Sequence, residues 1–277
     1  MDIEHFIKAA IDEDIKEGDH TSLACIPANK QSEAELLAKE NGIIAGIELS
    51  RKIFQIIDPH LSVEVFFDDG DAIKKGNRVM KVKGNSQSIL KAERLVLNFM
   101  QRMSGIATLT RRFVKAVEGY QAKILDTRKT TPLFRQFEKL AVKIGGGENH
   151  RFGLWDMIMI KDNHIACAGG IKRAIEAVKD YQRRNNLNLQ VEIEAATMQD
   201  VEEVIAAGGV HRIMLDNFKL PQLKKAVKLI DRQFETEASG GITLDNVRNY
   251  AAAGVDFISV GALTHSYKSL DLSLKAI

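Results

Sequence analysis

The chain has 277 residues, which is long enough for one large domain or two modest ones. Hydrophobic residues make up 45% and charged residues 27%, which excludes a disordered chain, and a net charge of only +2 excludes the global basic field of nucleic-acid-binding proteins. Met1 to Ile15 lacks the features of a signal peptide, no apolar run is long enough for a membrane span, and Cys25 and Cys167 are too few for a disulfide framework, so the sequence predicts a cytoplasmic protein that binds neither membrane nor nucleic acid.

The first hundred residues predict a mixed α/β layer. Three short strands separated by turn signals are predicted at 33–39, 63–67 and 79–82. Apolar residues at helical spacing predict helices at 47–57 and 88–117. We expect Gly105 to interrupt the second of these helices, because glycine weakens a helix interior.

From about Lys123 the pattern changes to strand, loop and helix, repeated. Mostly apolar strands are predicted at 123–125, 156–160, 191–194, 212–215, 234–238 and 257–260. Two of the units resemble each other, VEIEAATMQDVEEVIAAGGV and FETEASGGITLDNVRNYAAAGV. A serial βα pattern of this kind predicts a barrel, and six strands are fewer than the eight of a complete TIM barrel, so we expect an open or short one.

Polar residues follow almost every one of these strands. The strand ends carry Thr127, Arg128 and Lys129, then Lys161, Glu194, Asp216, Ser239 with Gly240 and Gly241, and finally Gly261 with Ala262. Taken singly, these residues are ordinary: two adjacent cations suit a solvated loop, and an acid suits a helix cap. The carboxyl ends of barrel strands share one face, however, and active sites are built there. The coincidence at six strand ends therefore favours a functional cluster.

A glycine-rich segment, GGGENHRFG (145–153), lies between the first two of these strands and contains His150 and Arg151. From Lys123 to His164 there are eight Lys and Arg against five Asp and Glu, so positive charge is concentrated around these motifs. Arginine pairs well with carboxylates, glycine turns offer backbone N–H groups to phosphates, and Glu194 with Asp216 suits a hard cation such as Mg²⁺. The pattern predicts a phosphorylated sugar, Mg²⁺ and a small polycarboxylate as ligands.

The chain resembles the quinolinate phosphoribosyltransferases, also called nicotinate-nucleotide pyrophosphorylases (carboxylating). The matching motifs span nearly the whole sequence: GDHTS (18–22), ERLVLNFMQRMSGIATLT (93–110), ILDTRKTTP (124–132), GGGENHRFGLWDMIMIKDNHI (145–165), EIEA (192–195), LDN (215–217), EASGGIT (237–243) and DFISVGALTHS (256–266). One departure is Leu133, which stands where the family usually has glycine after the proline.

The resemblance implies an α/β fold with an N-terminal sandwich-like layer and an open, TIM-like barrel. Boundaries are expected at 1–112 for the N-terminal domain and connecting helix, 113–268 for the barrel and 269–277 for a tail that packs back on the N-terminal domain. It also implies that phosphoribosyl pyrophosphate and quinolinate react with loss of CO₂ to give nicotinate mononucleotide, with Mg²⁺ as cofactor, in a homodimer or an assembly of dimers.

The resemblance also implies roles for individual residues. Quinolinate would be held by Thr127, Arg128, His150 and Arg151, and by Arg102 donated from the partner subunit. Phosphoribosyl pyrophosphate would contact Lys129, Lys161, Glu194, Asp216, Ser239, Gly240, Gly241, Gly261 and Ala262. The first four of that second group, Lys129, Lys161, Glu194 and Asp216, would be catalytic, and the two acids would hold Mg²⁺ directly or through water.

Three alternatives remain open from the sequence. A related protein encoded with some molybdate transporters shares the TRKT and HR patterns, although we expect it to differ at KDNHI (161–165), which is intact here. A Schiff-base aldolase would use Lys161 as its nucleophile. A non-catalytic anion-binding regulator is the third alternative, but no stretch of the chain is left over for an effector domain.

Overall fold

The computed structural model describes residues 2–277, which form two compact units. The first unit runs to Leu109 and also includes Tyr267–Ile277, and the second is Thr110–Ser266. In the part of the chain that is described, no helix combines the length and the apolar character needed to cross a membrane.

The first unit is built on an antiparallel sheet. Its elements, with the helix that continues into the second unit, are α1 (Ile3–Ile15), α2 (His20–Cys25), β1 (Gln31–Ala38), β2 (Gly42–Ile43), α3 (Ile47–Ile57), β3 (Ser62–Val65), β4 (Ala72–Ile73), β5 (Arg78–Asn85) and α4 (Ser86–Ala116), and it also contains β12 (Leu272–Ala276). The main sheet has the order β12-β1-β5-β3, and β2 pairs with β4. The C-terminal strand β12 therefore runs antiparallel to β1, with Leu36 opposite Leu274.

Side-chain alternation explains the register of β1. Ala34, Leu36 and Ala38 are buried, and Glu33 and Glu35, which alternate with them, point to the other face of the sheet. A slip of one residue would exchange these two sets, so the apolar set fixes the pairing. The three strands and two helices predicted in this half of the chain are all present, and the predicted helix at 47–57 coincides with α3.

The predicted interruption at Gly105 is wrong. Helix α4 runs without a break from Ser86 to Ala116. A Cβ atom on Gly105 would lie only 2.2 Å from the backbone oxygen of Lys268. The glycine is explained by this close approach of the C-terminal segment to the helix, and the tertiary contact outweighs the low helix propensity of glycine.

The second unit alternates strands and helices. Its elements are β6 (Lys123–Leu125), α5 (Arg135–Ile144), β7 (Ile158–Ile160), α6 (Asp162–Ala168), α7 (Ile171–Asn185), β8 (Val191–Ala195), α8 (Met198–Ala207), β9 (Arg212–Asp216), α9 (Leu220–Ile230), β10 (Glu235–Ser239), α10 (Val247–Ala251), β11 (Phe257–Ser259) and α11 (Ala262–His265). All pairings in its sheet are parallel, and the strand order is β6-β11-β10-β9-β8-β7.

This sheet is an open, TIM-like barrel, as the sequence predicted. The edge strands β6 and β7 do not pair with each other within residues 2–277. The strands are apolar because helices cover the sheet, and Ile193, Ile213 and Ile258 are fully buried. Parallel strands bring their carboxyl ends to one edge, so the loops after all six strands meet on one face.

Candidate active site

A cavity of about 800 Å³ opens at the carboxyl ends of the barrel strands. Its lining includes every residue that the sequence predicted for the two substrates except Arg102, namely Thr127, Arg128, Lys129, His150, Arg151, Lys161, Glu194, Asp216, Ser239, Gly240, Gly241, Gly261 and Ala262. These residues come from six strand ends and from the segment between α5 and β7. The fold therefore gathers into one space residues that are up to 135 positions apart, such as Thr127 and Ala262.

Two guanidinium groups meet in this cavity. The Nε atom of Arg128 is buried and has no hydrogen-bond partner among the described residues. Burial lowers the pKa of Arg151, and the nearby positive charge of Arg128 lowers it further. Arg151 has one backbone contact here, from Nη1 to the oxygen of Met157 at 3.3 Å. Two like charges, one with an unused buried donor, form a site that an anionic ligand would stabilise.

The loop that carries Arg128 and Lys129 is held from both sides. The hydroxyl of Thr127 accepts a hydrogen bond from the backbone N–H of Lys129 at 3.1 Å. The hydroxyl of Thr264 donates to the Lys129 oxygen at 2.8 Å, which ties the loop to α11. The aliphatic part of Lys129 lies against Gly261, where a Cβ atom would be 3.3 Å from Lys129 Cδ. Local hydrogen bonds therefore fix the backbone and leave the two cationic side chains for the cavity.

The predicted acids occupy neighbouring strands. Glu194 on β8 pairs with Lys161 Nζ from the end of β7, and both side chains are partly exposed to the cavity. Asp216 ends β9 and accepts a hydrogen bond from the Asn217 side chain at 2.8 Å. Neither acid caps the helix that follows it, because the N-caps of α8 and α9 are other residues. Both carboxylates are therefore available to a ligand in the cavity.

The turn after β10 requires glycine. Gly240 has φ +94°, and a Cβ atom there would lie 2.1 Å from Asn217 Oδ1 and 3.0 Å from the Asn217 backbone nitrogen. The Asn217 N–H donates to the Ser239 oxygen at 2.9 Å, so the two strand-end turns are locked together. Gly241 follows with φ +62° and open space around its Cβ position. This backbone lies against the cavity without intervening side chains, which suits close approach of a phosphate.

The floor of the cavity is a buried polar cluster in which His150 was predicted from the sequence and Glu192, Arg212 and Glu237 were not. The ring Nε2 of His150 lies 3.0 Å from Glu192 and 3.5 Å from Glu237, although these contacts lack hydrogen-bond geometry. Arg212 Nη1 donates to Glu237 at 2.9 Å. Burial raises the pKa of both acids to about 7 and lowers the pKa of His150.

A sequence signal for this floor did exist. Alternate residues of a strand face the same side of a sheet. Glu192 stands two positions before Glu194, and Glu237 stands two positions before Ser239. Each buried acid is therefore one layer deeper on the same inner face as a residue that lines the cavity. Asn217, Thr243 and His265 also line the cavity and had been given no role.

Residues suited to a metal ion are present in two places. Within residues 2–277, His150, Glu192 and Glu237 place ligand atoms within 4.8 Å of one another. A cation already lies beside that group, because the Arg212 guanidinium forms an ion pair with Glu237 and balances the charge of one of the two carboxylates. The predicted ligands Glu194 and Asp216 are not part of it, but they present carboxylate oxygens directly to the cavity. Oxygen ligands of this kind, few in number and open to water and phosphates, are what Mg²⁺ prefers.

Arg102 belongs to the first unit. It lies on α4, and its guanidinium is 5.1 Å from the centre of the Tyr267 ring. It is the one predicted substrate-binding residue that does not line the cavity as the described chain forms it.

Comparison with known proteins identifies the family. The models of the quinolinate phosphoribosyl transferase N-terminal and C-terminal domains match residues 19–104 and 106–275. The chain is 50% identical over 289 aligned residues to quinolinate phosphoribosyltransferase [decarboxylating] 2b, mitochondrial, from Nicotiana tabacum, covering 99% of this chain and 82% of that protein. It is 45% identical to the probable nicotinate-nucleotide pyrophosphorylase [carboxylating] of Bacillus subtilis, covering 95% and 89% of the two chains.

The structural comparison agrees with the sequence comparison. The crystal structure of NadC from Streptococcus pyogenes superposes with a TM-score of 0.94 at 40% sequence identity, covering 99% of this chain and 97% of that one. Both domain models, the curated relatives and this structure point the same way, and this assignment removes the aldolase and the anion-binding regulator as alternatives. This chain belongs to the quinolinate phosphoribosyltransferase family.

Proposed function

We propose that this chain catalyses the transfer of a phosphoribosyl group from 5-phosphoribosyl 1-pyrophosphate to quinolinate with decarboxylation, and so makes nicotinate mononucleotide for NAD biosynthesis. The observation that carries the proposal is the cavity itself. Two guanidinium groups, a lysine–glutamate pair and a glycine turn line one space at the mouth of the barrel. The curated relatives are named for the quinolinate reaction, which favours it over the molybdate-transport alternative.

The quinolinate end of the cavity is assigned to the two arginines. Arg128 and Arg151 would each pair with one of the two adjacent carboxylates of quinolinate, because a dicarboxylate relieves the mutual repulsion of two half-buried guanidiniums. Thr127 supplies a hydroxyl whose proton is not used in its contact with Lys129. His150 completes the floor beneath the ring, and burial lowers its pKa, which favours the neutral form of the imidazole.

The sugar phosphate is assigned to the ends of β10 and β11. Gly240 and Gly241 would take the 5′-phosphate through backbone N–H groups, together with Ser239, Gly261 and Ala262. Lys129 and Lys161 would lie against the pyrophosphate and hold its negative charge.

The chemistry follows from this placement. The lone pair of the pyridine nitrogen forms a bond to the anomeric carbon as the bond from that carbon to pyrophosphate breaks. The ring nitrogen is then cationic, so the electron pair left on carbon 2 when CO₂ departs is stabilised within the ring until it takes up a proton. The arginines contribute by orienting the nitrogen towards the anomeric carbon, and the lysines by stabilising the charge that develops on the leaving group.

We assign the magnesium site to Glu194 and Asp216, whose carboxylates would hold the ion directly or through water. When bound, Mg²⁺ would neutralise charge on the pyrophosphate of the substrate. Glu194 would in addition keep Lys161 in place through their ion pair.

The direct test is product formation. Purified protein is incubated with quinolinate, phosphoribosyl pyrophosphate and Mg²⁺, and CO₂, pyrophosphate and nicotinate mononucleotide are measured together. We expect the three products in equal amounts, each dependent on both substrates. Absence of all three under conditions in which the protein is folded would sink the proposal.

We also propose a homodimer, or an assembly of dimers, in which Arg102 serves the cavity of the partner subunit. The support is the family resemblance, which implies this donation. If Arg102 were an ordinary helix-surface residue, its replacement would cost little. We expect instead that Arg102→Ala and Lys129→Ala are each nearly inactive when pure.

Mixing these two variants tests the donation. After subunit exchange, random pairing makes about half of the dimers mixed, and two-fold symmetry leaves each mixed dimer with one complete site and one lacking both residues. Roughly a quarter of wild-type activity should then return. Demonstrated exchange without recovery would show that Arg102 does not act across the interface.

The cytoplasmic location stays a prediction. The names of plant relatives place those proteins in mitochondria or chloroplasts, whereas the Bacillus subtilis relative carries no such label. Fractionation of the source cells with antibody detection would decide it.

A further inference from the structure

A buried ion pair lies beneath the segment that carries His150 and Arg151. Asp126 directly follows β6, and Lys139 lies on α5. The two residues are 0% and 1% exposed, and Lys139 Nζ contacts Asp126 Oδ1. Neither residue lines the cavity or was assigned a role from the sequence.

The pair holds both backbone polar groups of His150. Asp126 accepts the His150 N–H at 2.9 Å, and Lys139 donates to the His150 oxygen at 2.9 Å. Asn149 completes the arrangement, because its side-chain amide donates to Asp126 at 2.5 Å and to the Lys139 oxygen at 2.9 Å. The peptide units that precede and follow His150 are therefore fixed by one acid, one base and one amide.

The preceding residues are pressed against β6. The Glu148 N–H donates to the Ile124 oxygen at 2.8 Å, and the Asp126 N–H donates back to the Glu148 oxygen at 3.2 Å. A Cβ atom on Gly147 would be 2.9 Å from side-chain carbons of both Thr110 and Val142. The segment thus runs beside β6 as a short parallel extension and leaves it at the ion pair.

The ion pair is a costly way to join α5 to the segment. Burial raises the pKa of Asp126 and lowers the pKa of Lys139, so removal from water disfavours the charged form of both groups. Well-packed apolar residues often stabilise a fold as well as a buried ion pair does. What apolar residues cannot do is accept an N–H and donate to a carbonyl oxygen on the same residue, as this pair does at His150.

We propose that Asp126 and Lys139 are positioning residues for quinolinate: they set the backbone at His150 and so aim the Arg151 guanidinium into the cavity. This inference rests on the function proposed above. The two residues touch no reacting atom, so their effect should be confined to one substrate. Of the residues assigned to phosphoribosyl pyrophosphate, only Lys129 shares a loop with Asp126, and its backbone is held by Thr127 and Thr264 rather than by the ion pair.

The main test variant is Asp126→Asn combined with Lys139→Met. The double change removes both charges together and avoids leaving one buried charge unpaired, while the His150 oxygen loses its donor. The matched control is Glu148→Gln, which removes an exposed ion pair with Lys123 (2.8 Å; side chains 57% and 47% exposed for Lys123 and Glu148) between the same strand and the same segment.

We expect the double variant to raise the KM for quinolinate at least about tenfold, which corresponds to the loss of one well-aimed ionic contact. The KM for phosphoribosyl pyrophosphate should stay within about twofold, and the control should leave both values unchanged. Equal changes in the two KM values, or no change in either, would overturn the proposal. Equilibrium binding of quinolinate alone provides a second measurement that does not depend on turnover.

A milder variant decides the question if the double variant does not fold. Asn149→Ala removes only the amide and keeps the ion pair, and it should raise the KM for quinolinate by about threefold without moving that for phosphoribosyl pyrophosphate. If Asn149→Ala changes the KM values of the two substrates equally, or changes neither, the inference is contradicted in the same way. Wild-type protein is measured alongside to separate failure of the proposed function from failure of this inference. Absence of wild-type turnover contradicts the proposed function. Normal wild-type turnover, with variants that change both KM values equally or neither, contradicts this inference alone.

Discussion

Discrimination between quinolinate and nicotinate, which lacks the 2-carboxylate, tests how the two guanidinium groups work. In the cavity, Arg128 has a buried Nε without a partner among the described residues, and its charge lowers the pKa of Arg151. A ligand with one carboxylate satisfies one guanidinium and leaves the other desolvated and unpaired. A lost charge-assisted hydrogen bond costs about 1.5–3 kcal/mol, and the unpaired buried group adds about 1–3 kcal/mol.

These two costs together come to roughly 4 kcal/mol, which corresponds to about 10³ in specificity. We therefore expect kcat/KM for quinolinate to exceed that for nicotinate by at least about 10³. Arg128→Gln should lower kcat/KM for quinolinate by about 10² or more but that for nicotinate by less than about tenfold, so the preference should shrink. The assay is initial-rate release of pyrophosphate with each acid at saturating phosphoribosyl pyrophosphate.

A control removes one positive charge elsewhere. Lys172 lies on α7, its side chain is 78% exposed and it does not line the cavity. Lys172→Gln should leave both specificity constants within about twofold, because an exposed charge contributes little. Equal kcat/KM values for the two acids in the wild-type protein would refute the reasoning, as would an equal loss for both acids in Arg128→Gln.

Three further predictions concern the metal, pH and Leu133. Glu194→Gln and Asp216→Asn should each raise the Mg²⁺ concentration for half-maximal rate at least about tenfold. Quinolinate binding, measured by calorimetry, should change little in both variants. Weaker quinolinate binding with an unchanged Mg²⁺ dependence would contradict the assignment of these acids to the metal. Glu237 has its pKa raised from 4.5 to about 7 by burial, so the folded state binds the extra proton and stability is lost as pH rises from about 4.5 through 7. In urea titrations, Glu237→Gln should reduce the fall in unfolding free energy between pH 5 and pH 8 by about 3 kcal/mol. The same pH dependence of the unfolding free energy in wild-type and variant protein would count against a raised pKa of Glu237. Leu133 has φ +63° and is 75% exposed, so Leu133→Gly should raise the unfolding free energy by up to about 1 kcal/mol with unchanged KM values, and a clear destabilisation would disprove the strain.

Local patterns predicted the barrel because its strands are short, apolar and separated by helices of regular length. The residues that line the cavity could be found for the same reason, since a strand end is visible in sequence as the point where an apolar run stops. Gly105 was misjudged because its explanation, the nearby backbone of Lys268, is 163 positions away in the chain and leaves no local trace.

The buried floor was missed although its signal was present. Glu192 lies in a strand that was located correctly from the sequence. It stands two positions before Glu194, so both side chains face the same inner side of the sheet. Acids are rarely fully buried unless they are paired, so residue type alone argued for exposure. The positive charge that lowers the cost is that of Arg212, which donates a hydrogen bond to Glu237 and lies opposite Glu192 on the neighbouring strand. Its nearness to Glu192 becomes identifiable only once the register of β8 and β9 is known.

Charge counting shows where sequence reasoning about the site reaches its limit. The excess of cations between Lys123 and His164 predicts an anion site, but a count of charges gives no weight to where each cation points. Lys139 forms an ion pair with Asp126 in the interior, and Lys123 pairs with Glu148 outside the cavity. Among the described residues from 123 to 164, only four cationic side chains line the cavity and can act on a ligand there: Arg128, Lys129, Arg151 and Lys161. Of these four, Lys161 already faces Glu194 and Lys129 is assigned to the pyrophosphate, so the two arginines carry most of the selectivity for a dianionic ring. The buried pair beneath them acts by fixing the direction of Arg151.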